Sequence, residues 1–123
     1  MIKIYDLIAH QEWDDIVRSF ADYDVYYLSG YVRAFYAHGD GEPQLLYYTS
    51  EQLRAIYVYM KRPTTITNVY DSVTPYGYGG VLFEGDKADQ SLSDFWKEYI
   101  QKMNDENIID KIFTNVCISD AYD

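Results

Sequence analysis

This chain is poor in the residues that build cross-links and metal sites. Cys117 is its one cysteine, which excludes an intramolecular disulfide, and His10 and His38 are its only histidines, too few and too far apart for a metal-ligand cluster. Cys117 has no histidine in sequence range and carries no activated-thiol signature. Positive charge is scarce as well: ten Lys and Arg stand against twenty Asp and Glu, a formal charge of −10. Such a surface repels phosphate backbones and anionic lipid, which argues against DNA as a partner. Long apolar runs are missing too. The opening MIKIYDLIAH has one lysine and a broken apolar stretch, the pattern of neither a signal peptide nor a spanning helix. The expectation is a cytoplasmic protein with no membrane insertion and no metal.

What the chain does have is core-forming residues and tyrosine. With 48% hydrophobic residues in 123, it suits a single domain spanning 1–123. Fifteen tyrosines recur in doublets and alternation, as in VYYLSGY, LLYYTS and AIYVYM. A tyrosine buries a large ring while its hydroxyl seeks a partner, so such runs suit half-buried sheets and the walls of polar clefts.

Hydrophobic periodicity divides the chain into elements. Ile2 to Tyr5 reads as a short strand, and Trp13, Ile16, Val17 and Phe20 share one helical face. SGYVRAFYAHGDGEP reads as a second helix with Ser29 as N-cap, Gly39 as stop, and a turn from Asp40 to Pro43. QLLYYTS and LRAIYVYMKR, split by Glu51 and Gln52, form a hairpin that Pro63 ends. ITNVYDSV reads as a third extended run. Leu92, Phe95, Trp96, Tyr99, Ile100 and Met103 make the clearest helical stripe, and NIIDKIF a closing strand before a frayed SDAYD end. The order β-α-α-β-β-β-loop-α-β implies a layered α+β (α/β) domain, a sheet flanked by helices.

Between the third strand and the long helix lies DSVTPYGYGGV, with Pro75, Gly77, Gly79 and Gly80 interleaved with Tyr76 and Tyr78. Glycine permits positive φ and close backbone approach while proline fixes φ, so this is a shaped turn, either ending a strand or cradling a ligand. Together with VYYLSGYVRAFY, LLYY…IYVYMKRP and YDSVTPYGYGGVLFEGD, it resembles the N-terminal half of FemAB-like proteins, of the GNAT-fold acyltransferases, from about Glu12 to about Ile109. The resemblance implies a GNAT-like mixed, largely antiparallel sheet and a domain that passes an acyl or aminoacyl group to an amine. It implies a donor such as acyl-coenzyme A or aminoacyl-tRNA, and a small-molecule or cell-wall-precursor amine as acceptor. The implied ligand wall is Tyr70, Tyr76, Gly77, Tyr78, Gly79 and Gly80, with Asp71 as a general base or amine-orienting group.

The sequence departs from that family at three places. Val81 stands where a proline is common, FTNVCISDAYD lacks the arginine, histidine and proline of the family's next segment, and no Q/R-x-x-G-x-G/A turn is present to cradle a pyrophosphate. A second, non-catalytic reading therefore stands beside the first, a ligand-binding or oligomerisation module derived from the same fold. The likeness to only one half of a two-half family also implies truncation at the C-terminus and self-association, as a homo-oligomer such as a two-fold dimer, or pairing with a partner chain. Asp71 has an ordinary alternative role, binding its own turn. Lys61, Arg62 and Arg33 are the cations available to a carboxylate or phosphate, unless Lys61 and Arg62 form a solvated strand end.

Overall fold

The structure, a computed structural model, describes residues 1–37, 41–73 and 80–110. The first strand, β1 (Ile2–Tyr5), ends at Asp6, whose carboxylate accepts the N–H groups of Ile8 and Ala9 at 3.0 and 3.3 Å. That closes a 3₁₀ turn at Leu7–Ala9, which feeds α1 (His10–Arg18). The face read from the sequence is the buried one: Trp13, Val17 and Phe20 are buried and Ile16 packs beside them.

The second helix, α2 (Ser29–Ala37), starts differently from the expectation. Ser29 does not cap its own helix. Its N–H and its hydroxyl both donate to the Asp14 carboxylate on α1, at 2.8 and 2.7 Å. A carboxylate from one helix thus satisfies the free amide opening the next and ties the two together. The expected stop at Gly39 lies outside the described residues.

The hairpin forms as expected. Strands β2 (Glu42–Thr49) and β3 (Leu53–Pro63) pair in antiparallel register from Glu42↔Lys61 to Thr49↔Arg54, and β3 ends at Pro63. Pro43 belongs to β2 and not to the preceding turn. Its missing donor is tolerated there, because β1, the neighbour on the other side, stops pairing at Leu45.

The run ITNVYDSV is only partly strand. Thr64 donates its N–H and its hydroxyl to the Val69 carbonyl at 3.0 and 2.8 Å, and Asn68 takes φ 64°, so the chain turns before β4 (Tyr70–Val73). A strand that periodicity does not reveal follows, β5 (Leu82–Gly85). Then come α3 (Asp89–Asp105), a turn in which Asn107 takes φ 57°, and β6 (Ile108–Asp110). Residues 111–113 of the closing strand and the SDAYD end lie outside the described residues.

The six strands form one sheet, in the order β1-β2-β3-β4-β6, with β5 also paired to β3. Every pairing is antiparallel except β4 with β6, so the domain is mixed α+β with a mostly antiparallel open sheet. Alternation along β3 supplies two cores. Leu53, Ala55, Tyr57 and Tyr59 face α3 and meet Phe95, Tyr99 and Met103, while Ile56, Val58 and Met60 face α1 and α2. The tyrosine abundance acquires a reason on the α3 side. Tyr57 stacks on Tyr59 with centroids 5.2 Å apart, and Tyr48, Phe83, Phe95, Trp96 and Tyr99 continue the layer through edge-to-face contacts.

One polar cluster joins the end of α1 to the sheet. Arg54 donates to Glu84 and to the Ser19 carbonyl and lies 4.0 Å over the Phe20 ring, while the Ala21 N–H donates to Glu84 at 2.8 Å. That amide first, then Arg54, holds the Glu84 carboxyl below its ordinary value of 4.5. A depressed carboxyl stabilises the fold above that ordinary value, and its contribution is lost as pH falls through the lower folded one. Thermal melts of the parent are therefore expected to drop below about pH 4.5, and Glu84→Gln to show a shallower acid limb. Parallel acid limbs in the two proteins would refute this assignment.

Candidate functional site: a strand interrupted beside β3

The candidate region sits where two strands share one side of β3. Strand β4 pairs with Met60 to Pro63 and β5 pairs with Leu53 to Ile56, both antiparallel, so they lie along the same line. Positions 74 to 81 connect them, whereas only Tyr57, Val58 and Tyr59 separate their partners on β3, so the connection is five residues longer than a continuous ladder would use. Among the described residues nothing pairs with β3 over that stretch on that side. Peptide groups alternate sides along a strand, and the Gln52 carbonyl on this side accepts the Asp86 N–H at 2.7 Å, so the peptide groups of Val58 also face the interruption.

The residues singled out from sequence are distributed unevenly about this gap. Tyr70 faces α3, packs on the aromatic core, and lies beneath the Lys61 ammonium, 4.4 Å from its ring centre. Asp71, its neighbour, faces the opposite side of the sheet, as successive strand residues must. There its two oxygens accept from Arg62 Nε and Nη2, each at 2.9 Å, in a bidentate pair. Tyr70 and Asp71 therefore do not line one wall. Lys61 and Arg62 are separated in the same way, since Lys61 stands 4.0 Å from Glu106 on the α3 side. Tyr76, Gly77, Tyr78 and Gly79 lie outside the described residues.

Gly80 is described, and its requirement differs from that of Gly41 and Gly85, which take positive φ. A Cβ built on it meets nothing within 4 Å, and its φ is not in the left-handed region. What holds Gly80 is its carbonyl, which accepts the Tyr27 hydroxyl at 3.3 Å. Val81 then packs on the α3 side and Leu82 on the α1 side, restoring strand alternation.

Sequence reasoning missed two residues here. Tyr27 sits in a 3₁₀ turn at Val25–Tyr27, and its carbonyl accepts the Trp13 indole N–H at 2.7 Å. Burial first, and the nearby Asp24 charge second, push the Tyr27 hydroxyl above its ordinary value of 10.0, so it stays a neutral donor at physiological pH. No local signal marks it, because its partner is 53 positions away. The other is Ser72, buried on the α3 side opposite Lys61, whose hydroxyl has no hydrogen-bond partner among the described residues. An orphaned buried hydroxyl loses its hydration and gains no bond to offset the loss. Ser72→Ala is expected to hold or raise the melting temperature; a loss above about 1 kcal/mol would show that the hydroxyl has a partner.

Two clefts open elsewhere, one of about 260 Å³ between the β2–β3 turn and Gly85, the other of about 130 Å³ beside Leu7, Ile8 and Pro43. Neither reaches Tyr70, Asp71 or Gly80. Among the described residues no group of three or more His, Cys, Asp or Glu could hold a metal ion, and no helix is long and apolar enough to cross a membrane. No protein-family model, curated protein or solved structure matches this chain.

Proposed function

We propose that this chain is the acceptor-holding domain of a GNAT-like, FemAB-like acyl- or aminoacyltransferase-type protein, with an amine bound where the strand beside β3 is interrupted. The interruption itself carries the reading. Among the described residues, pairing with β3 is found as far as Val73 and again from Leu82, the connecting positions carry the Pro/Gly/Tyr run, and the Val58 peptide groups opposite can hold a polar ligand. The element order and the parallel closing pair of β4 and β6 support a GNAT-like arrangement. The acidic surface favours a cationic acceptor over an anionic one.

In this reading Asp71 anchors β4 through Arg62, whose guanidinium engages both of its oxygens. That same pairing favours the second reading, a binding module without chemistry. The donor, acyl-coenzyme A or aminoacyl-tRNA, rests on the family resemblance alone, and without a pyrophosphate cradle acetyl-coenzyme A is expected to bind weakly.

Amide chemical-shift titrations with ethanolamine and L-lysine test the site. Shifts at Val58, Gly80 and Leu82 support it, and saturation without any shift there refutes it. Acyl transfer from acetyl-coenzyme A to the same amines, followed by mass spectrometry, then separates the readings: product supports the transferase, and amine binding without product supports the module.

A further inference from the structure

We infer that the cleft where β1 falls short of β2 docks a basic, extended segment of a partner chain, taking an arginine or lysine side chain between Asp6 and Glu42. It stands apart from the function proposed above, because no residue of the β3 interruption lines this cleft. Strand β2 begins at Glu42, but β1 pairs with it only from Leu45 onward, and after Asp6 the chain leaves the sheet for the 3₁₀ turn at Leu7–Ala9. The Thr49 N–H donates to Met1 on the β1 side, so by strand alternation the peptide groups of Tyr47, Leu45 and Pro43 face that side too. Among the described residues no strand lies opposite Pro43 there, which leaves its carbonyl as an acceptor on an open edge.

The lining decides the chemistry of the occupant. Asp6, Leu7, Ile8, Glu42 and Pro43 form the walls, and with both acids ionised none of their side chains carries a hydrogen-bond donor. Two carboxylates, a backbone carbonyl and apolar surface call for an occupant that brings both the donors and the positive charge. The nearest cations are directed elsewhere. Lys61 lies opposite Glu42 in register, yet its ammonium sits over the Tyr70 ring and 4.0 Å from Glu106, while the Lys3 ammonium lies over the Tyr5 ring. Glu42 itself is exposed and makes no side-chain hydrogen bond or ion pair among the described residues. Ile8 is 91% exposed, and with Leu7 and the Pro43 ring it offers apolar surface to the methylene stem of a basic side chain whose tip meets the carboxylates. The volume of about 130 Å³ is below that of small-molecule pockets and suits one side chain. The Pro43 carbonyl gives the segment's backbone an acceptor, and the formal charge of −10 draws a basic partner toward the surface.

Capped pentapeptides that alternate valine with arginine, with glutamine or with glutamate, titrated into the isotope-labelled chain and followed by amide chemical shifts, form the test. The arginine peptide is expected to shift Leu7, Ile8 and Glu42, the glutamine peptide to bind several-fold more weakly, and the glutamate peptide to leave all three unmoved. Raising the ionic strength from about 0.01 to about 1 M, which shortens screening from about 30 to about 3 Å, should weaken the arginine peptide several-fold. Glu42→Gln and Ile8→Ser, both at exposed positions, are expected to keep the melting temperature and to weaken that peptide roughly 3-fold each. Glu51→Gln removes the same charge outside the cleft and should leave binding unchanged. Equal shifts with the arginine and glutamine peptides, equal weakening in Glu42→Gln and Glu51→Gln, or no shift at Leu7 and Ile8 up to the solubility limit of the arginine peptide overturns the inference. Concentration-dependent shifts at those two residues without any peptide would place a second copy of this chain in the cleft and overturn it as well.

Discussion

Gly85→Ala is expected to destabilise the domain by about 3 kcal/mol, lowering the melting temperature by roughly 10 °C. Gly85 takes φ 116°, which L side chains rarely adopt, and a Cβ there would overlap the Gln52 carbonyl oxygen. That oxygen also accepts the Asp86 N–H, so relieving the overlap breaks the hydrogen bond that ends β5. Two costs add, conformational strain of about 1–3 kcal/mol and a lost hydrogen bond of about 1 kcal/mol. Gly80→Ala is the comparison, with open space around the new methyl and an expected change within about 0.5 kcal/mol. Thermal or urea melts in which the two variants fall equally would show that the β5 turn is not built as described.

Trp13→Ala should cost still more, about 4 kcal/mol from the lost ring and its cavity, and about 1 kcal/mol more for the Tyr27 carbonyl left without its donor. Trp13 is fully buried between α1 and the sheet, and its indole N–H supplies the 2.7 Å bond to Tyr27. Trp13→Phe separates the two contributions, because it keeps much of the packing and removes the donor. Its expected cost is about 2 kcal/mol, with faster exchange of the Val25–Tyr27 turn. Urea unfolding with unchanged slope measures both variants. A loss under about 1 kcal/mol for Trp13→Ala would mean that α1 does not pack on the sheet through this face.

The two variants bear on the candidate site differently. Gly85 sets where β5 ends and so the register of the strand that follows the interruption. Trp13 sets where Tyr27 stands, and through it where Gly80 is held. Loss of amine binding in Trp13→Phe with the fold intact would connect the core of α1 to the site through one hydrogen-bonded chain.

Local pattern was enough for the elements whose evidence is local. Trp13 and Val17 on α1 with Phe20 just past its end, the Phe95–Tyr99–Met103 stripe on α3, the β2–β3 hairpin and its end at Pro63 all follow from periodicity, because burying one face of an element requires apolar residues at that element's own repeat. The mixed α+β class follows from the order of those elements. Whatever depends on partners distant along the chain emerged only on folding. Four residues of β5 are too short to announce a strand and become one only by pairing with β3. Ser29 looks like a cap until Asp14 takes its donors, and the bidentate pairing of Asp71 with Arg62 follows from the register of β4 on β3 and not from local sequence. Gly80 and Gly85 are equivalent as letters; the carbonyl of Gln52 beside one and the open space beside the other make only Gly85 indispensable, since a methyl group is costly only where another atom already stands.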